Sequence, residues 1–261
     1  MQYKTLSSYL YALMGKSELV FTKKEALNAL GVSDTALRNS IKRQVASKKV
    51  LRLMKGCYLI IPPEYQNLGF VPPENFIHDL MEKLGIPYYV CLSSAAHFYG
   101  ATYQTEQIFQ VMVEKPLRPL SLKNNRIVFY VHKKFDQMPT NSLKTDRGPL
   151  IVSSPATTIF ELMFYNNQSG SLNHIRTIIK ELVLSLRIQD LRSLMTKFPL
   201  TVSQRLGYLF ESLGYPDISD VFLEYVCHKK PLLYLPLSSK NHSKEGIKNS
   251  KWHLIINQGI E

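Results

Sequence analysis

The stretch that decides the fold is residues 22–62, which read TKKEALNALGVSDTALRNSIKRQVASKKVLRLMKGCYLIIP. Thr22-Lys23-Lys24-Glu25 at its start is a capping box, in which each end of the motif hydrogen-bonds to backbone amides of the other end. It predicts a helix that begins at Thr22 and ends at Gly31, because glycine takes the left-handed conformation that closes a helix. Ser33 then has the position of an N-cap for a further helix, so the sequence predicts a helix-turn-helix.

The segments on either side of this helix pair extend the pattern. A preceding helix is predicted from an apolar stripe at helical spacing, made of Leu6, Tyr9, Leu10, Leu13 and Met14. The third helix has a predicted buried stripe of Leu37, Ile41 and Val45. Lys55-Gly56 then separates two β-prone runs and predicts a two-residue hairpin. Three helices followed by a hairpin within residues 1–61 are the order of a winged helix-turn-helix.

Charge singles out the same segment. The chain has 261 residues, with 32 Lys and Arg against 20 Asp and Glu and a net charge of +12. Residues 1–61 hold 11 of these bases and only three acids, which gives this segment +8. A basic module of this kind predicts a polyanionic partner such as nucleic acid.

The third helix presents the side chains that duplex DNA requires. Asn and Arg can each make two hydrogen bonds to a base edge in the major groove, Thr can reach a base edge or a thymine methyl group, and Lys neutralises phosphate. Basic residues continue onto the hairpin, where a wing touches flanking DNA. The candidate DNA-binding residues are Thr35, Arg38, Asn39, Lys42, Arg43, Lys48, Lys49, Arg52 and Lys55.

Beyond residue 61 the sequence predicts a mixed α/β (α+β) fold. Two proline pairs bound a linker at 62–73, and residues 74–261 form a larger mixed α/β domain. Helices are predicted at 74–84, 92–100, 155–165, 172–185, 188–197, 202–213 and 218–227. Strands are predicted at 108–113, 126–131, 149–152, 232–236 and 252–257, with a surface loop at 240–251.

The usual sequence signatures of enzymes do not occur. There is no GxxxxGK[ST], GxGxxG, HExxH or CxxC motif. Cys227-His228 lacks the second pair that a zinc site needs, and Glu114-Lys115 lacks the acid-x-Lys spacing of a restriction-type nuclease. His97 is predicted to be a hydrogen-bonded core histidine. We therefore expect no catalytic residue, metal or cofactor, with a nuclease targeted by the winged helix as the alternative.

Cysteine usage and hydropathy predict a cytoplasmic protein. Three widely spaced cysteines, Cys57, Cys91 and Cys227, do not make a disulfide framework, which indicates a reducing compartment. Residues 85–105 lack charge over a length that could span a bilayer, but their polar residues favour a buried strand-helix segment and no membrane contact.

Several blocks of the chain are distinctive when taken together and in order. They are RLMKGCYLIIP at 52–62, YYVCLSSAAHFYGA at 88–101, IVSSPATT at 151–158, QRLGYL at 204–209 and WHLIIN at 252–257. Over nearly its whole length the chain thereby resembles the AbiEi antitoxins of bacterial type IV toxin-antitoxin systems, which act in abortive infection, a form of phage defence. Ala156 departs from the acidic residue expected after Ser-Ser-Pro.

The resemblance implies a DNA-binding transcriptional repressor of its own operon whose C-terminal domain is an antitoxin without catalysis. The implied partners are double-stranded DNA of its own promoter, a nucleotidyltransferase-like toxin as a functional and not necessarily physical partner, and further copies of the chain on DNA. A stand-alone transcriptional regulator is a second alternative. Within the blocks, Ser154-Pro155 is expected to begin a helix, and Arg205 to pair with an acid or cap a carbonyl.

Overall fold

The computed structural model describes residues 3–102, 108–123, 125–166, 168–229, 233–238 and 246–259. Of the described residues, 47% are helical and 20% are in strands, and these strands form three sheets. The mixed α+β class predicted from the sequence is thus confirmed.

The elements have the following bounds. The helices are α1 Leu6–Met14, α2 Lys23–Leu30, α3 Asp34–Ala46, α4 Pro63–Gln66, α5 Ile77–Leu84, α6 Leu92–Phe98, α7 Pro155–Phe164, α8 Leu172–Leu182, α9 Ile188–Met195, α10 Leu200–Ser212 and α11 Pro216–Cys227. The strands are β1 Val20–Thr22, β2 Val50–Met54, β3 Cys57–Ile60, β4 Tyr88–Val90, β5 Ile108–Val113, β6 Leu120–Ser121, β7 Arg126–Val131, β8 Thr140–Thr145, β9 Gly148–Ser153, β10 Leu235–Pro236, β11 Ile247–Asn249 and β12 Leu254–Ile256.

The first 60 residues fold in the order α1-β1-α2-α3-β2-β3, the order of a winged helix-turn-helix. The hairpin β2–β3 forms as predicted, and β1 pairs antiparallel with β3 in a sheet of order β1-β3-β2. Apolar side chains from all three helices and from the sheet form one core under α3. Its buried members are Leu6, Tyr9, Leu10, Leu13, Phe21, Ala26, Leu30, Leu37, Ile41, Val50 and Ile60.

The local signals that define these elements act as the sequence predicts. The Thr22 hydroxyl accepts a hydrogen bond from the Glu25 backbone N–H, and a Glu25 carboxylate oxygen accepts one from the Thr22 N–H at 2.7 Å. Gly31 ends α2 with φ +62°, and Gly56 turns the hairpin with φ +82°. Both glycines occupy the left-handed region, where a side chain would be strained.

Helix α5 packs on the same module through polar contacts. A carboxylate oxygen of Asp79 accepts a hydrogen bond from the buried Leu19 backbone N–H at 2.7 Å. Lys83 forms ion pairs with Glu18 at 3.2 Å and with Glu25 at 2.8 Å. The capping box of α2 is therefore tied to α5.

The segment predicted as a linker, residues 62–73, contains α4 and the buried Val71. Gly69 donates a backbone hydrogen bond to the Tyr65 carbonyl at 2.8 Å. These residues are packed against their surroundings and are not an extended tether.

A six-stranded sheet follows, with the order β6-β7-β5-β4-β9-β8. The predicted strands at 108–113 and 126–131 occur with those bounds and pair in parallel, Ile108 opposite Arg126. The strand-helix segment expected at 85–105 occurs as β4 and α6. Strands β6 and β8 were not predicted, because β6 has only two residues and β8 carries mostly polar residues, so neither shows a clear alternating pattern.

The chain divides into two compact units. Unit 1 consists of Met1–Val90, Gln107–Lys133 and Ser142–Val152, and unit 2 of Cys91–Glu106, Lys134–Asn141 and Ser153–Glu261. Most of the six-stranded sheet therefore belongs to the same unit as α1, α2, α3 and the hairpin.

Unit 2 contains the helices α6 to α11 and a small sheet of order β10-β12-β11. Phe222 stacks between Phe160 and Phe210 in its core, with ring centroids 5.8 and 5.6 Å apart. All seven helices predicted beyond residue 73 are present within a few residues of their expected ends. The loop predicted at 240–251 is wrong in part, because β11 lies inside it and pairs with β12; its first residues lie outside the described ranges.

Within the described ranges, no helix is both long enough and apolar enough to span a membrane.

Candidate nucleic-acid interface

Helix α3 is the central element of the candidate interface. Its N-cap is Ser33, whose hydroxyl accepts a hydrogen bond from the Ala36 backbone N–H at 3.3 Å. Leu37 and Ile41 are buried in the core, and the opposite side of the helix is exposed. Val45, which was predicted in the buried stripe, is 40% exposed, so that prediction is wrong.

The predicted binding residues on α3 divide among three directions. Thr35 and Asn39 lie on the outward face opposite the buried stripe, and both are exposed. Arg43 is also turned away from the buried stripe, but its side chain extends toward α1, and its guanidinium donates to the Ser40 hydroxyl at 3.2 Å. Arg38 and Lys42 are on the other flank, nearest the hairpin.

A cleft of about 650 Å³ runs between this second flank and the hairpin. Its charged lining residues are all basic, and its apolar lining comes from α3 and β3. The residues are Lys23, Arg38, Ile41, Lys42, Val45, Ala46, Arg52, Lys55, Gly56 and Tyr58. Four residues predicted from the sequence, two on the helix and two on the hairpin, are thus brought together in one concave surface. We call it the α3–hairpin cleft.

Lys48 and Lys49 lie at the end of α3, apart from the cleft-lining set. Lys48 has φ +57°, in the left-handed region, and its N–H donates to the Val45 carbonyl at 3.0 Å. The Lys49 N–H donates to the Gln44 carbonyl. Lys48 therefore takes the helix-closing role that glycine usually fills, and both lysine side chains are exposed.

Two residues of the cleft region were missed by the sequence reasoning. Asp34, in the first turn of α3, forms ion pairs with Lys23 and, at 2.5 Å, with Arg38. The hydrogen bond from Lys23 and the nearby Arg38 lower the pKa of Asp34. The i,i+4 spacing of Asp34 and Arg38 was visible in the sequence. The position of Lys23 was not, because it depends on the packing of α2 beside the hairpin turn.

Across the described ranges, no three or more His, Cys, Asp or Glu side chains come together as a possible metal site. A shallow cavity of about 250 Å³ is lined by residues that include Arg192 and Glu224, which pair with each other at 2.7 Å. His228 interacts through Nδ1 with the carbonyl of Glu224 in its own helix. His97 is exposed, so its prediction as a core histidine is wrong.

Two of the distinctive blocks, 204–209 and 252–257, meet at Trp252 in unit 2. The Gln204 side chain donates to the Trp252 carbonyl at 3.0 Å, and the Trp252 indole N–H donates to Glu211. A Cβ on Gly207 would overlap the ring of Trp252 and lie 2.9 Å from the Cβ of Phe222, so only glycine fits there. Arg205 caps the carbonyl of Pro236 at 3.0 Å, one of its two predicted roles.

The block at 151–158 supplies the start of α7. The Ser154 hydroxyl accepts from the Thr157 backbone N–H at 3.2 Å, and Pro155 is the first helical residue, as expected. Ala156 is buried, so an acidic residue at this position would lose its hydration.

Comparison with known proteins identifies residues 88–212 as a match to the AbiEi antitoxin C-terminal domain family. The resemblance noted in the sequence is therefore confirmed for this region. Three of the distinctive blocks fall inside it, whereas the hairpin block at 52–62 and the block at 252–257 fall outside. No curated protein matches the chain.

Among solved structures, the chain is similar to the crystal structure of the RV2827C protein from Mycobacterium tuberculosis. The TM-score is 0.72 at 16% identity, over 98% of this chain and 92% of that chain. This likeness shows a shared fold. A nucleotidyltransferase-like protein from Paracoccidioides brasiliensis matches over 59% of this chain and 94% of that chain, with a TM-score of 0.38 at 12% identity, too low to support an argument.

Proposed function

We propose that the chain is the antitoxin of a type IV toxin-antitoxin system and also represses its own promoter, because residues 88–212 match the AbiEi antitoxin C-terminal domain family. In this proposal residues 1–61 bind double-stranded DNA and residues 74–261 provide the antitoxin activity, without catalysis. The toxin is a nucleotidyltransferase-like protein, which the antitoxin opposes in the cytoplasm without having to bind it.

The observation that carries the DNA part of this proposal is the distribution of charge. Unit 1 holds 19 Lys and Arg against 9 Asp and Glu, a net charge of +10, whereas unit 2 holds 13 against 11. Five of the basic residues of unit 1 line the α3–hairpin cleft. Basic side chains gathered on one face displace counterions from DNA phosphates, and this release supplies most of the binding free energy that does not depend on sequence.

The three directions of α3 give each predicted residue a role. Thr35 and Asn39 face outward, where they can reach base edges in the major groove. Arg38 is proposed to read a base from the flank of the helix. The remaining candidates are proposed phosphate or minor-groove contacts beside the helix and on the hairpin; they are Lys42, Arg43, Lys48, Lys49, Arg52 and Lys55.

The first test is footprinting of the purified chain on the DNA upstream of its own gene. We expect protection of a defined site that weakens as salt is raised, and protection of two neighbouring sites if copies bind together. Equal protection of all sequences would contradict the repressor part of the proposal.

The antitoxin part is tested separately, by co-expression with the neighbouring nucleotidyltransferase-like gene and a reporter driven by the native promoter. The full chain should restore growth and lower reporter output. Replacing Lys42 and Lys55 with Ala in the full chain should release the reporter while growth is still restored from an unrelated promoter. Repression without protection would instead indicate a stand-alone transcriptional regulator.

A further inference from the structure

Asp34 is an acidic residue among the basic side chains of the candidate interface. Its carboxylate binds Lys23 through one oxygen and an Arg38 terminal nitrogen, 2.5 Å away, through the other. The carboxylate is 42% exposed and the Arg38 side chain 65% exposed. An ion pair this exposed contributes little to folding stability, because water and salt screen it.

The same carboxylate also connects α3 to the hairpin. The backbone N–H of Lys23 donates to the carbonyl of Gly56, in the hairpin turn, at 2.8 Å. Lys23 is therefore fixed to the hairpin by its backbone and to α3 by its side chain. Through Lys23, Asp34 joins the two walls of the α3–hairpin cleft.

The pairing restricts where the Arg38 guanidinium can lie. Arginine has five N–H donors in a planar fork, and Asp34 occupies only part of that fork. A guanidinium held in this way keeps donors free for the two acceptors of a guanine, O6 and N7. Without Asp34 the side chain could instead turn to the nearest phosphate.

The negative charge of Asp34 also favours discrimination between DNA sequences. A carboxylate beside a DNA backbone repels phosphates on every sequence, whereas a correctly placed Arg38 gains hydrogen bonds only on the right base. Because non-specific affinity falls while the specific contacts are kept, the protein discriminates better between its specific site and DNA of arbitrary sequence.

We propose that Asp34 is a specificity-positioning residue, which holds Arg38 on the hairpin side of α3 for base recognition and weakens binding to DNA of arbitrary sequence. The inference rests on the proposed DNA-binding function, and it assigns Asp34 no contact with DNA itself.

The test compares the full-length chain with its Asp34→Asn variant on two duplexes of equal length, the DNA upstream of its own gene and a scrambled sequence. The variant lacks the negative charge, so scrambled DNA should bind about threefold to tenfold tighter at low salt. The salt slope, which is the slope of the logarithm of the binding constant against the logarithm of the salt concentration, should become steeper by about one. Preference for the upstream duplex should fall about tenfold. Thermal unfolding of both proteins shows that the variant is folded.

Three further variants separate positioning from charge. Asp34→Glu keeps the charge, so scrambled DNA should bind as in the wild type. Arg38→Lys keeps the positive charge but loses the fork, and it should reduce the preference without tightening non-specific binding. Glu64→Gln removes an acid that pairs with Arg147 at 2.6 Å elsewhere in unit 1, and it should leave the preference unchanged.

The outcomes are distinct. If Asp34→Asn changes affinity for both duplexes by the same factor, Asp34 acts through charge alone and the positioning role is overturned. If the wild type binds neither duplex, the proposed DNA-binding function itself fails, and this inference fails with it.

Discussion

Unit 1 and unit 2 are of nearly equal length but use their polar residues differently. In unit 1 the basic side chains around α3 remain at the surface, and the unit carries +10. In unit 2, which carries +2, the polar side chains of α10 bind inward: Gln204 and Arg205 hold backbone carbonyls, and Glu211 holds the Trp252 indole. Surface charge suits recognition of a polyanion, whereas inward hydrogen bonds fix a single packing arrangement. Substitutions in the two units should therefore produce different kinds of defect.

The largest expected effect is a packing defect in unit 2. Gly207→Ala would place a methyl group inside the van der Waals surface of the Trp252 ring. Since neither the ring nor α10 can move without breaking the hydrogen bonds around it, we expect a loss of about 3 kcal/mol in the free energy of unfolding, measured by denaturant titration. Gly15→Ala is the matched control, because its nearest neighbours lie 3.5 Å away; it should change stability by less than about 1 kcal/mol. Equal losses in the two variants would contradict the packing argument.

The second prediction concerns recognition by unit 1. Asn39→Ala removes an exposed amide from the outward face of α3. We expect a loss of about 1–3 kcal/mol on DNA upstream of the gene, much less on scrambled DNA, and little change in folding stability. Fluorescence anisotropy titrations on both duplexes measure it. Gln189→Ala, an exposed amide of α9 in unit 2, should alter neither affinity. Similar losses for Asn39→Ala on both duplexes would place Asn39 among the backbone contacts.

The sequence predicted most of the elements that form the candidate interface, for local reasons. The capping box at Thr22, the turn at Gly31 and the hairpin turn at Gly56 are each decided by a few adjacent residues. Strand β1 was not predicted, because three residues show no periodicity and its place is set by pairing with β3.

The sequence predicted most of the residues of the candidate interface, but it did not predict the cleft that they form. Helical periodicity placed Val45 in the core, but the core under α3 is filled before the last turn, and Val45 instead lines the cleft. The role of Asp34 was equally hidden, because Lys23 reaches it only after α2 packs beside the hairpin turn. Long-range packing decides such contacts, and spacing along one helix does not reveal them.

The third prediction tests how α5 supports unit 1. Burial acts to raise the pKa of Glu25, but hydrogen bonds from Lys83 and Thr22 outweigh it and lower that pKa. A lowered folded-state pKa means that the pair stabilises the fold above the unfolded-state pKa of Glu, near 4.3, and that this contribution is lost as pH falls through the folded-state value. Lys83→Met should therefore cost about 1–2 kcal/mol at pH 7 and progressively less in acid.

Urea unfolding of the wild type and of Lys83→Met between pH 7 and pH 3 measures this difference. Lys180→Met, which removes an exposed lysine of α8 in unit 2, is the matched control. Its free energy of unfolding should differ little from that of the wild type at every pH. A difference for Lys83→Met that does not change with pH would show that Glu25 and Lys83 are not coupled.

The smallest expected effect separates folding from binding at a single position. Lys48 closes α3 with φ +57°, where a side chain is strained and glycine is not. Lys48→Gly should therefore raise the free energy of unfolding by up to about 1 kcal/mol, while its salt slope on scrambled DNA becomes shallower by about 0.9 if the lysine contacts one phosphate. Lys48→Gln is the matched control, because it removes the charge but keeps a side chain in the strained conformation; it should reproduce the shallower slope without the gain in stability. A more stable Lys48→Gly protein that binds DNA with the wild-type slope would remove Lys48 from the proposed interface.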